Sequence, residues 1–183
     1  MAKKISVIAL ILILCAAMGA FAFEQKSKTV PWLASLNGNG QLNIYAGAGF
    51  YGLGIDVEGG AEFIITNFDI GPIPLAFGVQ VRGGVGFSSL FGVSWIDWGV
   101  GPLASLHLCA DWGSIWKFDW YIGLGLGISG STGTFYIGQN PIFLSFASAD
   151  GVAWMFSNNI GLLLDYLYIG NLSSFGVGVK IAL

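Results

Sequence analysis

The chain has 183 residues with 7 Lys+Arg and 10 Asp+Glu, so 9% of it is charged, against about 25% in soluble domains. Hydrophobic residues make up 55%, and 29 are Gly. The hydrophobicity excludes a disordered chain, the sparse charge argues against a soluble domain, and the excess of Gly argues against a helical membrane bundle.

Residues 1–22 read MAKKISVIALILILCAAMGAFA. Lys3 and Lys4 form a positive n-region, Ile5 to Leu14 an apolar h-region, and Ala20-Phe21-Ala22 a small-x-small cleavage pattern. This is the pattern of a secretory signal peptide. Cleavage after Ala22 removes Lys3 and Lys4 and leaves 5 basic and 10 acidic residues, net −5, so no basic footprint for nucleic acid exists. Cys15 leaves with the signal and Cys109 stands alone. One His and one Cys cannot build a Cys/His zinc site, and no cofactor motif is present. Residues 23–40 read as a polar lead-in to the fold proper, residues 41–183.

From residue 41 the chain alternates with period two, the signature of strands with two unlike faces. In 41–50, Leu42, Ile44, Ala46, Ala48 and Phe50 oppose Asn43, Tyr45, Gly47 and Gly49. In 53–66, Leu53, Ile55, Val57, Ala61, Phe63 and Ile65 oppose Gly54, Asp56, Glu58, Gly60, Glu62 and Thr66. In 75–87, Leu75, Phe77, Val79, Val81, Val85 and Phe87 oppose Ala76, Gly78, Gln80, Arg82, Gly84 and Gly86. In 95–109, Ile96, Trp98, Val100, Leu106 and Leu108 oppose Asp97, Gly99, Gly101, Ser105, His107 and Cys109. In 116–129, Trp116, Phe118, Trp120, Ile122, Leu124, Leu126 and Ile128 oppose Lys117, Asp119, Tyr121, three Gly and Ser129. Residues 142–156 are least regular: Asp150 falls on the apolar parity, which predicts a bulge near Ser148–Gly151. In 160–168, Ile160, Leu162, Leu164, Tyr166 and Tyr168 oppose Gly161 and Asp165. In 175–183, Phe175, Val177, Val179, Ile181 and Leu183 oppose Gly176, Gly178, Lys180 and Ala182.

That makes eight strands. Nine charged residues, Asp56, Glu58, Glu62, Arg82, Asp97, Lys117, Asp119, Asp165 and Lys180, all share the Gly-rich face. A soluble barrel would expose that face, a poor coat, and crowd every Leu, Ile, Phe and Trp into a lumen with little room. The inverse arrangement puts the apolar face in lipid, where a charge at midplane costs about 2–4 kcal/mol, and requires a closed, even-stranded barrel. The expected fold is therefore an all-β, eight-stranded antiparallel up-and-down transmembrane barrel. With the N-terminus in the periplasm, the periplasmic turns are Asn67–Ile73, Ala110–Ile115 and Ser157–Asn159. The external loops lie near Tyr51–Gly52, Ser88–Ser94, Gly130–Pro141 and Gly170–Ser173. Aromatic belts are expected from Phe50, Tyr51, Phe87, Trp95 and Tyr168 at one end and Phe68, Trp112, Trp116, Trp154 and Phe156 at the other.

Residues 41–183 resemble the small eight-stranded outer-membrane barrels of the OmpA, OmpX and OmpW kind. The most specific stretch is the end, Ala153 to Gly161, Leu162 to Ile169, Gly170 to Ser174, and Phe175-Gly-Val-Gly-Val-Lys-Ile-Ala-Leu183. It looks like the last hairpin of such barrels, whose terminal strand is read by the insertion machinery; Leu183 stands where the family usually ends in Phe. The resemblance implies a monomer in the cell outer membrane, partnered by outer-membrane lipid and the insertion machinery.

Three chemical readings follow from the inward residues. Asp56, Glu58 and Glu62 facing Arg82, Lys117 beside Asp119, and Lys180 sharing the lumen with Asp165 make an ion-paired filling with a structural or interaction role. The same charges, six acidic and three basic, could line a narrow pore that prefers cations or passes small hydrophobic solutes. Ser105 and His107 share a face near Asp97 and Asp119, the residue types of an outer-membrane lipid acyl hydrolase. Gly123 to Gly127 is a strand of period two with no helix after it, so it is not a phosphate loop.

Overall fold

A computed structural model describes residues 30, 32–33, 35–113, 116–133 and 142–183. The expected signal peptide (1–22), the start of the lead-in (23–29), residues 114–115 of one expected turn and residues 134–141 of the longest expected loop lie outside the described residues.

Alternating side chains give β1 (Leu42–Tyr51), β2 (Gly54–Ile70), β3 (Ile73–Leu90), β4 (Val93–Asp111), β5 (Lys117–Gly133), β6 (Ile142–Met155), β7 (Ile160–Ile169) and β8 (Leu172–Ala182). Each strand pairs antiparallel with the next, and β8 pairs with β1, so the sheet closes on itself. Following paired residues once around, from Ala182 through Asn43, Glu62, Gln80, Leu103, Gly125, Ala147 and Ile169, returns to β8 at Leu172, ten residues from the start. A stagger of ten over eight strands fixes the strand tilt at about 40° and leaves an interior that side chains fill. No helix among the described residues is long and apolar enough to cross a membrane.

The faces sort as the alternation predicts. Leu124 and Val177 are 49% and 50% exposed, whereas Glu62 and Lys180 are 1% exposed. Large side chains covering the outside of a closed sheet, with charges sealed within it, are stable in hydrocarbon and not in water. A continuous chain of rings, Trp32, Trp112, Trp120, Phe118, Trp116, Trp154 and Phe156, lies at the end where β8 finishes, near the C-terminus, with successive centroids 5.0–6.3 Å apart. Tyr51, expected in the opposite belt, instead turns inward against Gly86.

Several expectations are corrected. β3 and β4 run 18 and 19 residues, longer than the span the alternation picked out, because their ends also pair. The expected loops Asn67–Ile73 and Ser88–Ser94 are strand, joined by two-residue turns at Gly71-Pro72 and Phe91-Gly92. The latter has φ of 50° and 81°, the paired positive values that suit the twist of a two-residue hairpin. The register shift falls at Ile64/Thr66 rather than near Ser148–Gly151. There Ile64 bonds both ways to the segment before β1, through Gly40 N–H to Ile64 O and Ile64 N–H to Gln41 O, each 2.9 Å. The extra residue flips the parity, so Thr66 pairs with outward Phe77, and Asn67 points inward in its place.

The pairing of β6 is unbroken on both sides. Asp150 sits between Ile122 and Tyr166, both outward, and so faces outward itself. It is the one charged residue of the described strands on that face. Its Oδ1 is buried among apolar neighbours with no hydrogen-bond partner. Replacing it should therefore strengthen the barrel: Asp150→Leu is expected to raise the unfolding free energy in lipid vesicles by an amount on the order of 1–3 kcal/mol. Denaturant titration of refolded protein measures this, and an unchanged or lowered midpoint would contradict the placement.

Candidate functional site in the barrel lumen

Inward residues form three layers, in which contacts that cross the lumen stand beside contacts within one strand pair. In the layer nearest the termini, His107 on β4 lies between two carboxylates. Its Nε2 is 2.8 Å from Glu62 Oε1 and its Nδ1 2.9 Å from Asp119 Oδ1. Ionised carboxylates accept only, so this setting suits a ring that carries hydrogen on both nitrogens. Glu62 also accepts from Tyr45, Ser105 and, at 2.9 Å, Asn43. Asp119 also accepts from Lys180 and, at 3.1 Å, Asn37. All are buried. Each carboxylate thus meets several donors, which is what holding a charge away from water demands.

Asn37 comes from the lead-in. Its carboxamide donates to Asp119 and to Cys109 Sγ (3.3 Å) and accepts from Lys180 at 2.8 Å. Leu33 bridges to Ala110, and Asn67 donates to the Asn37 carbonyl at 2.7 Å. The described part of the segment, read from sequence only as a polar lead-in, therefore folds up under the barrel and seats a side chain in its end. Its signal was weak: a lone Asn between Leu36 and Gly38 has turn chemistry and nothing else.

The middle layer is Arg82, Asp165 and Tyr121. Arg82 on β3 pairs with Asp165 on β7, across the lumen. It donates to Tyr121 Oη at 3.1 Å, and Tyr121 donates to Asp165 Oδ1 at 2.6 Å. The guanidinium lies 4.6 Å from the Tyr45 ring centre, and Tyr121 packs 5.6 Å from both Tyr45 and His107. These side chains interlock across the middle of the lumen. Beside it, β6 and β7 turn apolar residues inward: Ala147, Ala149, Ala153, Met155, Leu163, Leu167 and Ile169, joined by Leu103 and Leu172. The expectation of a wholly polar lumen missed this wall, because a strand apolar on both faces carries no alternation to read.

The far layer holds Asp56, Glu58 and Asp97. Ser131 donates to Asp97, and Asn171 donates to Ser131 at 2.6 Å. Ser174 donates to Asp56 at 2.7 Å and stands 3.2 Å from Glu58 Oε2. Among the described residues none of these three carboxylates has an ion-pair partner.

The nine charged residues expected inside all take the inward parity, but their pairings differ from those expected. Arg82 meets Asp165, not Asp56, Glu58 or Glu62 on the adjacent strand. Lys180 meets Asp119, not Asp165. Lys117 stands at the end of the barrel, 3.6 Å from Asp111 and 2.9 Å from Asn158, away from Asp119. In so narrow a cylinder long side chains from opposite walls meet near the axis, so a partner need not lie on the neighbouring strand. The Ser105–His107–acid arrangement of a hydrolase is not assembled: Ser105 donates to Glu62, and the ring nitrogen that would activate it is also held by Glu62. Among the described residues no three His, Cys, Asp or Glu side chains converge as metal ligands.

No family model and no curated protein matches the chain. Among solved structures it is similar to Neisserial surface protein A, at 17% identity and a TM-score of 0.45 over 77% of this chain and 94% of that one. It is similar to the N-terminal β-barrel domain of Pseudomonas aeruginosa OprF, at 14% identity and 0.45, over 80% and 100% of the two chains. It is also similar to the attachment invasion locus protein Ail of Yersinia pestis, at 10% identity and 0.42, over 80% and 100%.

Two outcomes are expected of lumen variants. Arg82→Ala or Asp165→Ala alone leaves a buried charge without its partner and should cost about 3–5 kcal/mol in unfolding free energy, whereas Arg82→Met with Asp165→Leu should recover most of it. Asn37→Gly should unseat the plug, so that Cys109 in unboiled, folded protein reacts with maleimide faster than in wild type. Equal labelling rates would show that Asn37 does not guard that end.

Proposed function

We propose that this chain is an integral outer-membrane β-barrel protein whose interior is a packed, ion-paired filling, and that its role is structural or one of interaction at the envelope rather than turnover or transport. The reading combines the apolar exterior with the signal-peptide pattern, since a closed barrel is the way strands span lipid and an exported one is inserted from the periplasm. The observation that carries it is the buried middle layer: Arg82, Asp165, Tyr121 and Tyr45 interlock across the lumen. The lead-in seats Asn37 below that layer. Outer-membrane lipid around the aromatic girdle and the insertion machinery acting on β8 are the partners this reading names. A monomer suffices for it, because closure leaves no open edge.

A narrow cation-preferring pore is the second reading, favoured by the acidic far layer and its surrounding glycines. Planar bilayers distinguish the two. Refolded wild type is expected to give no reproducible conductance. Steady cation-selective channels that widen on Arg82→Ala would replace the structural reading with the pore.

A further inference from the structure

We propose that the far layer of the lumen holds a divalent cation of the calcium class between Asp56 and Glu58. The two carboxylates stand two residues apart on β2, on the same inward face, and both converge on Ser174 of β8. Between β2 and β8 runs β1, whose inward residues there are Gly47 and Gly49. A Cβ on Gly176 of β8 would stand only 2.8 Å from Glu58 Oε1, whereas one on Gly47 would meet it at an ordinary contact distance of 3.4 Å. Glycine on both strands makes the cradle into which Glu58 extends.

The polar accounting is what points to a ligand. A serine hydroxyl has one proton, so Ser174 satisfies one of the two carboxylates at a time. Asp56 and Glu58 are 3% and 7% exposed. Asp56 Oδ1 and Glu58 Oε1 are each sealed from solvent and meet no hydrogen-bond donor of the protein. Two carboxylates that share one hydroxyl donor repel each other, and a cation between them removes that cost. The other two layers show how this lumen normally treats its carboxylates. Glu62, Asp119 and Asp165 each have a cationic partner and further donors. Asp56 and Glu58 make no ion pair among the described residues, and each keeps one oxygen without a donor.

The donor set selects the ion. Carboxylate and hydroxyl oxygens are hard ligands that suit Ca²⁺, which accepts irregular sets of six to eight oxygens, some of them water. His107 and Cys109, the nitrogen and sulfur donors a softer metal prefers, lie in the layer nearest the termini. Asp97 is on β4, beyond Gly86 of β3 in the same row, and is engaged by Ser131; it contributes field but no ligand.

This site rests on the closed-barrel reading, so the experiment scores the two separately. Full-length mature chain is refolded in detergent, and a boiling-dependent gel shift certifies the barrel for every variant. CaCl₂ is then titrated by calorimetry, and the loss of the gel shift on heating is followed with calcium and with chelator. The expected result is saturable one-to-one binding and a higher melting point with calcium. Glu58→Gln and Asp56→Asn should each weaken binding by at least about tenfold and abolish the calcium-dependent rise, while Asp97→Asn preserves both. If one of the two isosteric variants fails to fold, the other decides. Absence of saturable binding in folded wild type, binding unchanged in the folded variants, or equal loss in all three, would each overturn the site. A wild-type chain that shows no gel shift would instead overturn the barrel.

Discussion

The pairing of β8 with β1 is the constraint on which the rest depends. Until that seam forms, the sheet has two edges whose backbone groups have no partner in lipid. Once it forms, the stagger of ten residues sets how wide the cylinder is. That width is small enough that long side chains from non-neighbouring strands meet across it. The lumen contacts follow: Arg82 to Asp165, His107 to Glu62, and Lys180 to Asp119 join strands that are not neighbours in the sheet. The glycines are the complement of these long side chains, leaving space where the others cross.

The exterior and interior are under opposite rules. Outside, the solvent is hydrocarbon and a polar group has nothing to bind, so Phe50, Ile55 and Leu144 stand well exposed. Inside, polar groups are tolerated where each finds a partner, and the network around Glu62 and Asp119 meets that condition. Asp150 breaks the outer rule. The continuous register on both sides of β6 leaves it no inward alternative, since a bulge to rotate it would throw Ala147, Ala149 and Ala153 off the wall they pack.

How much of this was legible in the sequence depended on contrast between faces. β5 and β8 alternate large apolar residues with glycine and charge, and their orientation was readable outright, as was the inward parity of the nine charges assigned to that face. Strand ends were less legible, because pairing continues through Phe68-Asp69-Ile70 and Ser88-Ser89-Leu90, where the alternation has already faded. Leu163 and Leu167 were invisible as lumen residues because β7 is apolar on both faces. Ion-pair partners were illegible for a different reason: alternation says which face a residue takes, not which point across the cylinder it meets. Asn37 needed the folded path of the lead-in, which no local pattern encodes.

Arg82 and Asp165 are 83 positions apart and are joined only across the finished cylinder. While the sheet is still open, each inward charge lies on a surface that has nothing opposite it. Insertion and interior locking are thus coupled late events, and the barrel cannot be opened strand by strand without baring ions to acyl chains. The same cross-brace that fills the bore raises the barrier to leaving the membrane, so persistence of the folded protein is governed by kinetics as much as by equilibrium.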